Sequence, residues 1–212
     1  MTTLNPLKLK CPICETDFES SSVGSCGYAS KRTDFRPNYW GLNPVEYFFH
    51  DCPHCGFCSD ENYFNSKIEN PELRKKIIKI GPLKEYSLEK KLERAMHCLE
   101  LLINYNLRDT DEFGLANNWI QVFWWAASHV SELKFGKIVL DYFEKAFHKN
   151  LIPEKQIPTI KYLMGEINRR IGQKNKANEF FDEVISITKH KNELQDIHDL
   201  AVQQKTNPKE NI

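Results

Sequence analysis

Cys11-Pro12-Ile13-Cys14, near the start of the chain, is followed after 37 intervening residues by Cys52-Pro53-His54-Cys55-Gly56. Each Cys-Pro-x-Cys stretch can form a tight turn, because proline fixes φ and Gly56 can adopt a positive φ after the second pair. Such a turn directs two thiolates to one point, where backbone amides stabilise their charge. Four thiolates at one point form the tetrahedral ligand set of a structural zinc site. The sequence therefore predicts a site for Zn²⁺ with these ligands: Cys11, Cys14, Cys52 and Cys55.

Three neighbouring residues leave alternative ligand sets open. Cys58 extends the second pair into an overlapping C-x2-C-x2-C run, which is typical of some iron–sulfur sites. His50 and His54 lie close enough in sequence to replace a thiolate in a site of three cysteines and one histidine. Because the two matched pairs already supply four ligands, we expect Cys58 to begin the following helix as a small apolar residue.

Composition bounds the class of protein. Among 212 residues, 29 Lys and Arg balance 29 Asp and Glu, which argues against a surface built to coat nucleic acid. Residues 1–9 contain no apolar run typical of a signal peptide, and no stretch approaches the ~18 apolar residues of a membrane span. An odd number of cysteines, seven, without such a signal argues against a disulfide framework. These observations predict a cytoplasmic protein with reduced thiols and no membrane partner.

Several motifs together resemble a bacterial family known only as a domain of unknown function. They are Lys10-Cys11-Pro12-Ile13-Cys14, Asp34, Tyr39, Asn43-Pro44, Tyr47 and the run Cys52-Pro53-His54-Cys55-Gly56-Phe57. The resemblance covers roughly residues 8–190 and is most specific over 10–64. It implies a bacterial, cytoplasmic, metal-binding protein with two N-terminal Cys-Pro-x-Cys turns and a helical C-terminal part. It implies no activity, and Cys58 departs from the small residue expected at its position, which leaves its role open.

The segment between the cysteine pairs alternates strand and loop signals. Residues 1–9 are expected to be a short leader, and Thr16 to Val23 a strand or hairpin leaving the first turn. Ser and Gly are frequent from Ser20 to Gly27, which indicates a loop. The β-branched and aromatic residues of Val45 to His50 predict a strand that enters the second turn.

The loop 31–40 has two interpretations. It carries Lys31, Arg32, Arg36, Tyr39 and Trp40. Rings interleaved with basic side chains are typical of surfaces that stack on nucleic-acid bases. Alternatively, these aromatic rings form a small core around the metal together with others: Phe35, Tyr47 and Phe48. A module of this size needs such rings to cover its site, so the second interpretation is preferred.

The rest of the chain has a helical period. Pro71 at a helix start and Gly81-Pro82 at its end bound one helix, and Ser87 is expected to cap a long amphipathic one. Apolar residues from Leu115 to Leu133, including Trp119 and Val130, predict a central helix contacted on several sides.

Two helical pairs show the spacing of tetratricopeptide repeats. A small residue, Gly165, is followed by Ala177 after 12 positions and by Phe181 after 4 more. An earlier frame, 38 residues before, has the same steps; its members are Ala127, Val139 and Phe143. The sequence therefore predicts a mainly α protein. A zinc-ribbon-like α+β module spans 1–66, a tetratricopeptide-like helical-hairpin array spans 67–202, and a polar tail spans 203–212.

The motifs of common enzymes are missing from the sequence. Phosphate-binding loops, dinucleotide fingerprints, the nucleophile elbow and H-E-x-x-H do not occur. We therefore expect a non-catalytic interaction or scaffold protein that binds a protein or peptide on its helical surface. The first alternative is a zinc-ribbon protein that binds nucleic acid. The second is a thiol redox or iron–sulfur protein that uses Cys52, Cys55 and Cys58.

Overall fold

A computed structural model describes residues 2–212 of the chain. Within this range eight α-helices carry most of the structure, and all strands belong to two-stranded sheets. The strands are β1 (Thr3–Lys10), β2 (Asp17–Ser25), β3 (Tyr28–Lys31), β4 (Pro37–Tyr39), β5 (His50–Asp51) and β6 (Cys58–Ser59). The helices are α1 (Glu61–Phe64), α2 (Pro71–Ile80), α3 (Leu88–Asn104), α4 (Glu112–Trp124), α5 (His129–His148), α6 (Ile157–Arg170), α7 (Lys174–Thr188) and α8 (Gln195–Thr206). The predicted fold class is confirmed: small N-terminal sheets carry the cysteine turns, and helical hairpins follow.

The chain divides into two compact units. The first contains the chain up to Ala29 together with Tyr39–Asp109, and the second contains Ser30–Asn38 together with Thr110–Ile212. This division differs from the boundary expected at residue 66, because α2 and α3 belong to the unit with the cysteine turns. In that unit α3 packs against β6. Short hairpins bury little apolar surface, so they need such a helix to complete a core.

The segment expected to be a leader is a strand. β1 pairs antiparallel with β2 over their whole length, from Thr3 opposite Ser25 to Lys10 opposite Asp17. The serine-rich stretch expected to be a loop therefore lies largely within β2. Its backbone groups are satisfied by a partner strand that local composition does not reveal. A second expectation was also wrong: residues 44–47 form a 3-10 helix, and only His50 of the strand expected over Val45 to His50 belongs to a strand, β5.

The helix signals after the second turn are confirmed. The side chain of Asn70 caps α2 by accepting hydrogen bonds from the backbone amides of Glu72 and Leu73. Gly81 ends the helix with a φ of 70°. Ser87 accepts a hydrogen bond from the amide of Lys90 and so caps α3. The helix is amphipathic as expected, and the apolar residues of its buried face include Leu92, Ala95, Met96, Leu99 and Leu102.

The apolar stretch 115–133 is two helices rather than one. α4 ends at Trp124, and Ser128 caps α5 by accepting a hydrogen bond from the amide of Ser131. The predicted face is therefore interrupted: Trp119 is buried, whereas Val130 is 78% exposed. The error arose because a serine cap inside an apolar run is a weaker signal than the periodicity around it.

Helical hairpins fill the second unit. α4 packs on α5, α6 on α7, and α7 on α8. The frame of Gly165, Ala177 and Phe181 lies in α6 and α7, where a Cβ atom at Gly165 would lie 2.7 Å from the Phe181 ring. The earlier frame is wrong at its first position, because Ala127 lies between α4 and α5. The close approach in α5 occurs instead at Gly136, whose Cβ would meet Ile171 at 2.7 Å.

Candidate metal centre

The first Cys-Pro-x-Cys turn joins β1 to β2. The amide of Cys11 donates to the carbonyl oxygen of Thr16 at 3.0 Å, and the amide of Glu15 donates to that of Cys11 at 2.9 Å. The strands thus meet in a closed loop with Cys11 and Cys14 at its tip. Glu15 has a φ of 64°, an unusual conformation for a residue with a side chain.

The second turn joins β5 to β6 and repeats the same bonds. The backbone amide of Cys52 donates to the carbonyl oxygen of Phe57 at 2.8 Å, and the backbone amide of Gly56 donates to the carbonyl oxygen of Cys52 at 3.0 Å. Gly56, with a φ of 78°, occupies the place that Glu15 has in the first turn. In both turns the amides two and three positions later donate to the sulfur of the first cysteine. The donors are Ile13 and Cys14 to Cys11, and His54 and Cys55 to Cys52.

The four cysteine sulfurs converge. The Sγ atoms of Cys11 and Cys55 lie 3.5 Å apart, and those of Cys14 and Cys52 lie 3.6 Å apart. All four sulfurs lie within 4.8 Å of one another. A zinc–sulfur bond of about 2.3 Å gives a tetrahedron with edges of about 3.8 Å. The arrangement therefore fits one tetrahedral ion held by two ligands from each turn, and all seven cysteines of the chain are free thiols.

The electrostatics of the cluster favour a bound cation. A hydrogen bond with the Cys55 thiol, above all, lowers the pKa of Cys11 to about 5, although burial opposes this shift. The same hydrogen bond, followed by burial, raises the pKa of Cys55. Burial raises the pKa of Cys52 to about 11. The Cys11 thiolate therefore forms readily, and its negative charge disfavours deprotonation of the neighbouring thiols. A divalent cation, by contrast, stabilises four thiolates together.

Buried side chains surround the turns. Ile13 and Phe57, next to the cysteines, are fully buried. The Phe57 ring lies 5.2 Å from Phe64, which also contacts Phe18 at 5.5 Å. Arg74 donates to the carbonyl oxygen of Ile13 at 2.5 Å. The rings that cover this region thus come from α1 and the strand ends rather than from the loop 31–40.

The alternative ligands lie elsewhere in the same unit. Cys58 belongs to β6 rather than beginning a helix, and its thiol donates to the carbonyl oxygen of Lys91 at 3.6 Å. Complete burial raises the pKa of Cys58. His50 is hydrogen-bonded through Nδ1 to Ser20 at 2.8 Å, and His54 is exposed. Across residues 2–212, the cluster of close ligand atoms contains the four predicted cysteines and none of these three side chains.

The basic residues of the loop 31–40 make internal contacts. Arg32 forms an ion pair with the fully buried Asp34. Arg36 donates to the carbonyl oxygen of Trp124 at 3.2 Å and lies over the ring of Trp125 at 5.0 Å. Contacts of this kind position the loop within its own unit. Binding of nucleic acid by this loop stays a prediction, and sequence reasoning missed the role of Asp34 because its partners are distant in sequence.

Comparison with known protein families places the chain in a bacterial family. The profile of a family described as "Uncharacterized protein conserved in bacteria (DUF2225)" matches residues 5–207. No curated protein and no solved structure matches the chain. Among the helices of the described residues, none is long and apolar enough to cross a membrane.

Proposed function

Since the chain belongs to this bacterial family of uncharacterised proteins, as the cysteine motifs indicated, we propose that it is a non-catalytic, zinc-containing protein-interaction module. The observation that carries the metal part of the proposal is the convergence of four sulfurs within 4.8 Å. An all-thiolate tetrahedral set is typical of Zn²⁺ among the ions bound by proteins. Cys11, Cys14, Cys52 and Cys55 would hold the ion.

The proposed role of zinc is structural. Four protein ligands complete a tetrahedral coordination sphere, whereas a catalytic zinc keeps one position for water or substrate. The turns that carry the ligands belong to isolated two-stranded hairpins, which bury too little surface to be stable alone. In this proposal the ion fixes the two hairpins to each other, and the chain performs no reaction there.

The proposed interaction surface is a groove in the second unit. It has a volume of about 670 Å³ and lies between the start of α6 and the end of α7. Half-buried apolar side chains line its floor, namely Ile157, Ile187 and Leu194. Two lysines and two glutamates, all exposed, also line the groove and balance in charge: Lys155, Lys191, Glu154 and Glu193. An apolar floor with balanced charges beside it suits a protein segment that carries apolar side chains.

Affinity capture of the intact protein at its normal expression level tests this function. We expect specific partners to be recovered with the natural chain and lost with Leu194→Arg, which places a charge on the groove floor. Glu179→Arg is the matched control, because Glu179 is exposed on α7 and does not line the groove. Recovery of the same partners with both variants, or of none with the natural chain, would contradict the proposal.

The compartment is part of the same proposal. Seven cysteines that form no disulfide suit a reducing environment, so we propose that the protein acts in the cytoplasm. Fractionation of cells that express the intact chain tests this, and recovery outside the cytoplasm would contradict it.

A further inference from the structure

A buried ionic cluster fixes the loop between β3 and β4 within the second unit. Asp34 and Glu166 are both fully buried, and the guanidinium of Arg170 lies within 3.4 Å of both carboxylates. Thr33 donates to Glu166 at 2.6 Å, and its carbonyl oxygen accepts a hydrogen bond from Tyr162 at 2.9 Å. Each charge has a partner of opposite sign, so the loop is held in one conformation.

One edge of β3 is occupied by the segment 207–212. β4 pairs with the other edge. The amide of Thr33 donates to the carbonyl oxygen of Glu210 at 3.1 Å, and the amide of Ile212 donates to that of Lys31 at 2.9 Å. These two bonds enclose an antiparallel bridge between Arg32 and Asn211. The segment expected to be a polar tail therefore forms a one-residue antiparallel bridge next to the end of β3.

Side chains contact the segment at several points. The hydroxyl oxygen of Thr33 lies 3.2 Å from the carbonyl oxygen of Lys209, and Asn38 donates to the side-chain oxygen of Asn211 at 3.2 Å. Arg169 lies 2.9 Å from one carboxylate oxygen of Glu210, and Arg170 lies 2.9 Å from the other. Gln204 is almost fully buried. Its side-chain nitrogen donates to the carbonyl oxygen of Lys209 at 2.9 Å, and its side-chain oxygen accepts from the backbone amide of Lys209 at 3.0 Å. The site thus binds one carboxylate and the backbone of an extended segment.

The site and its occupant differ in how firmly they are held. Thr33 and Glu166 have no exposed surface, and Gln204 has 2%. All six residues of the segment 207–212, by contrast, are exposed. Backbone bonds at the surface and the two ion pairs of an exposed glutamate stabilise a segment weakly, so its local opening requires far less free energy than unfolding of the unit. A fixed site with a loosely held occupant is suited to exchange.

We propose that the edge of β3, with Arg169, Arg170 and Gln204, is a binding site for an extended acidic segment of a partner protein. The segment 207–212 occupies this site in the free chain and shows the chemistry that it accepts: a strand with a glutamate or aspartate that reaches the two arginines. Strand addition of this kind is a recurrent mode of peptide recognition. The site lies apart from the groove proposed above, so either one can fail without the other.

Binding of a peptide in trans tests the proposal. The probe is a fluorescent peptide with the sequence of residues 205–212 and blocked ends, and its anisotropy is measured with a chain that ends at Thr206 and with the intact chain. We expect the shortened chain to bind the peptide and the intact chain to bind it at least about tenfold more weakly, because its own segment competes at high effective concentration. A peptide that carries Glu210→Gln is expected to bind about tenfold more weakly, since a charge-assisted contact is lost.

A second variant keeps the test decisive if the shortened chain is not folded, which circular dichroism will show. Ile212→Pro in the intact chain removes the amide that donates to Lys31 and leaves the rest of the chain unchanged. We expect it to bind the peptide more tightly than the natural chain does. The proposal is overturned if no folded variant binds the peptide, or if the Glu and Gln peptides bind equally. It is also overturned if light scattering shows that the segment 207–212 pairs two copies of the chain instead.

Discussion

A Cβ atom at Gly56 would lie 2.0 Å from the carbonyl oxygen of Gly81, a distance that no side chain can accept. Gly56 follows the last predicted metal ligand, and Gly81 ends α2. Glu15, at the equivalent place in the first turn, is instead exposed and lies 3.5 Å from Arg74. The two cysteine turns therefore share one backbone conformation but differ in what packs against them.

Gly56→Ala is expected to destabilise the first unit by about 2–5 kcal/mol, which combines left-handed backbone strain with overpacking. Glu15→Ala is the matched control. Residue 15 already has a side chain at a positive φ, so the substitution adds no backbone strain and removes only an exposed ion pair. We therefore expect the free energy of unfolding to change by about 1 kcal/mol or less. Urea unfolding monitored by circular dichroism measures both. Equal effects of the two substitutions would show that the contact with Gly81 does not constrain the turn.

Cys14→Ser and Cys55→Ser are each expected to remove the bound metal and unfold the cysteine turns while the helices of the second unit remain. Structural zinc contributes about 10–16 kcal/mol in small finger peptides, which exceeds or matches the net stability of about 5–15 kcal/mol of a typical domain. Elemental analysis of the purified protein should give one zinc per chain, and circular dichroism follows the helices. Cys26→Ser, which changes an exposed thiol, is the control and should keep its zinc. Brown protein that contains iron would contradict the zinc assignment.

Gly165→Ala is expected to destabilise the hairpin of α6 and α7 by about 1–3 kcal/mol, because its Cβ would lie 2.7 Å from the Phe181 ring. This loss outweighs the gain in helix propensity, about 1 kcal/mol. In the background of Phe181→Leu, whose side chain is smaller, the same substitution should cost less. A double-mutant cycle on thermal unfolding measures this coupling, and strictly additive effects would exclude the contact as the cause.

Asp34→Asn is expected to destabilise the second unit by about 3–5 kcal/mol, because it leaves the buried Arg170 with less compensating charge. Asp141→Asn is the control. It breaks an exposed ion pair with Lys145 on α5, and such pairs contribute about 0.5 kcal/mol. Chemical denaturation of the two variants provides the comparison. A cost for Asp34→Asn as small as that of the control would mean that the loop 30–38 is not anchored by this cluster.

The contact of the segment 207–212 should depend on pH. Partial burial raises the pKa of Glu210, but Arg169 and Arg170 lower it more, so the net shift is downward. A carboxyl group with a lowered folded-state pKa stabilises the folded contact above its ordinary pKa of about 4.3 and loses this effect as the pH falls through the lowered value. Amide hydrogen exchange of Ile212, corrected for the intrinsic pH dependence, should therefore increase only below about pH 4. In Glu210→Gln we expect no such transition.

Local signals in the sequence were sufficient for the cysteine turns, for both ends of α2 and for the start of α3. Cys-Pro-x-Cys fixes its own turn geometry, and Asn70, Ser87 and Gly81 act on amides or carbonyls within a few residues. The same reasoning was wrong where a local pattern had two solutions. Ser128 divides an apolar run that periodicity alone joined into one helix, and Ala127, the expected small residue of the earlier repeat frame, lies between α4 and α5.

The sequence by itself determined which four sulfurs meet and where α2 and α3 begin, because these features depend on turn chemistry and on contacts one helical turn apart. Only the tertiary structure decided that β1 is a strand, that the loop 30–38 packs in the helical unit, and that the segment 207–212 pairs with β3. Thr33 contacts Glu166 and Glu210 across 133 and 177 positions of the chain. Strand partners and buried ion pairs at such separations are selected by the packing of the whole unit, and no local pattern of residues specifies them.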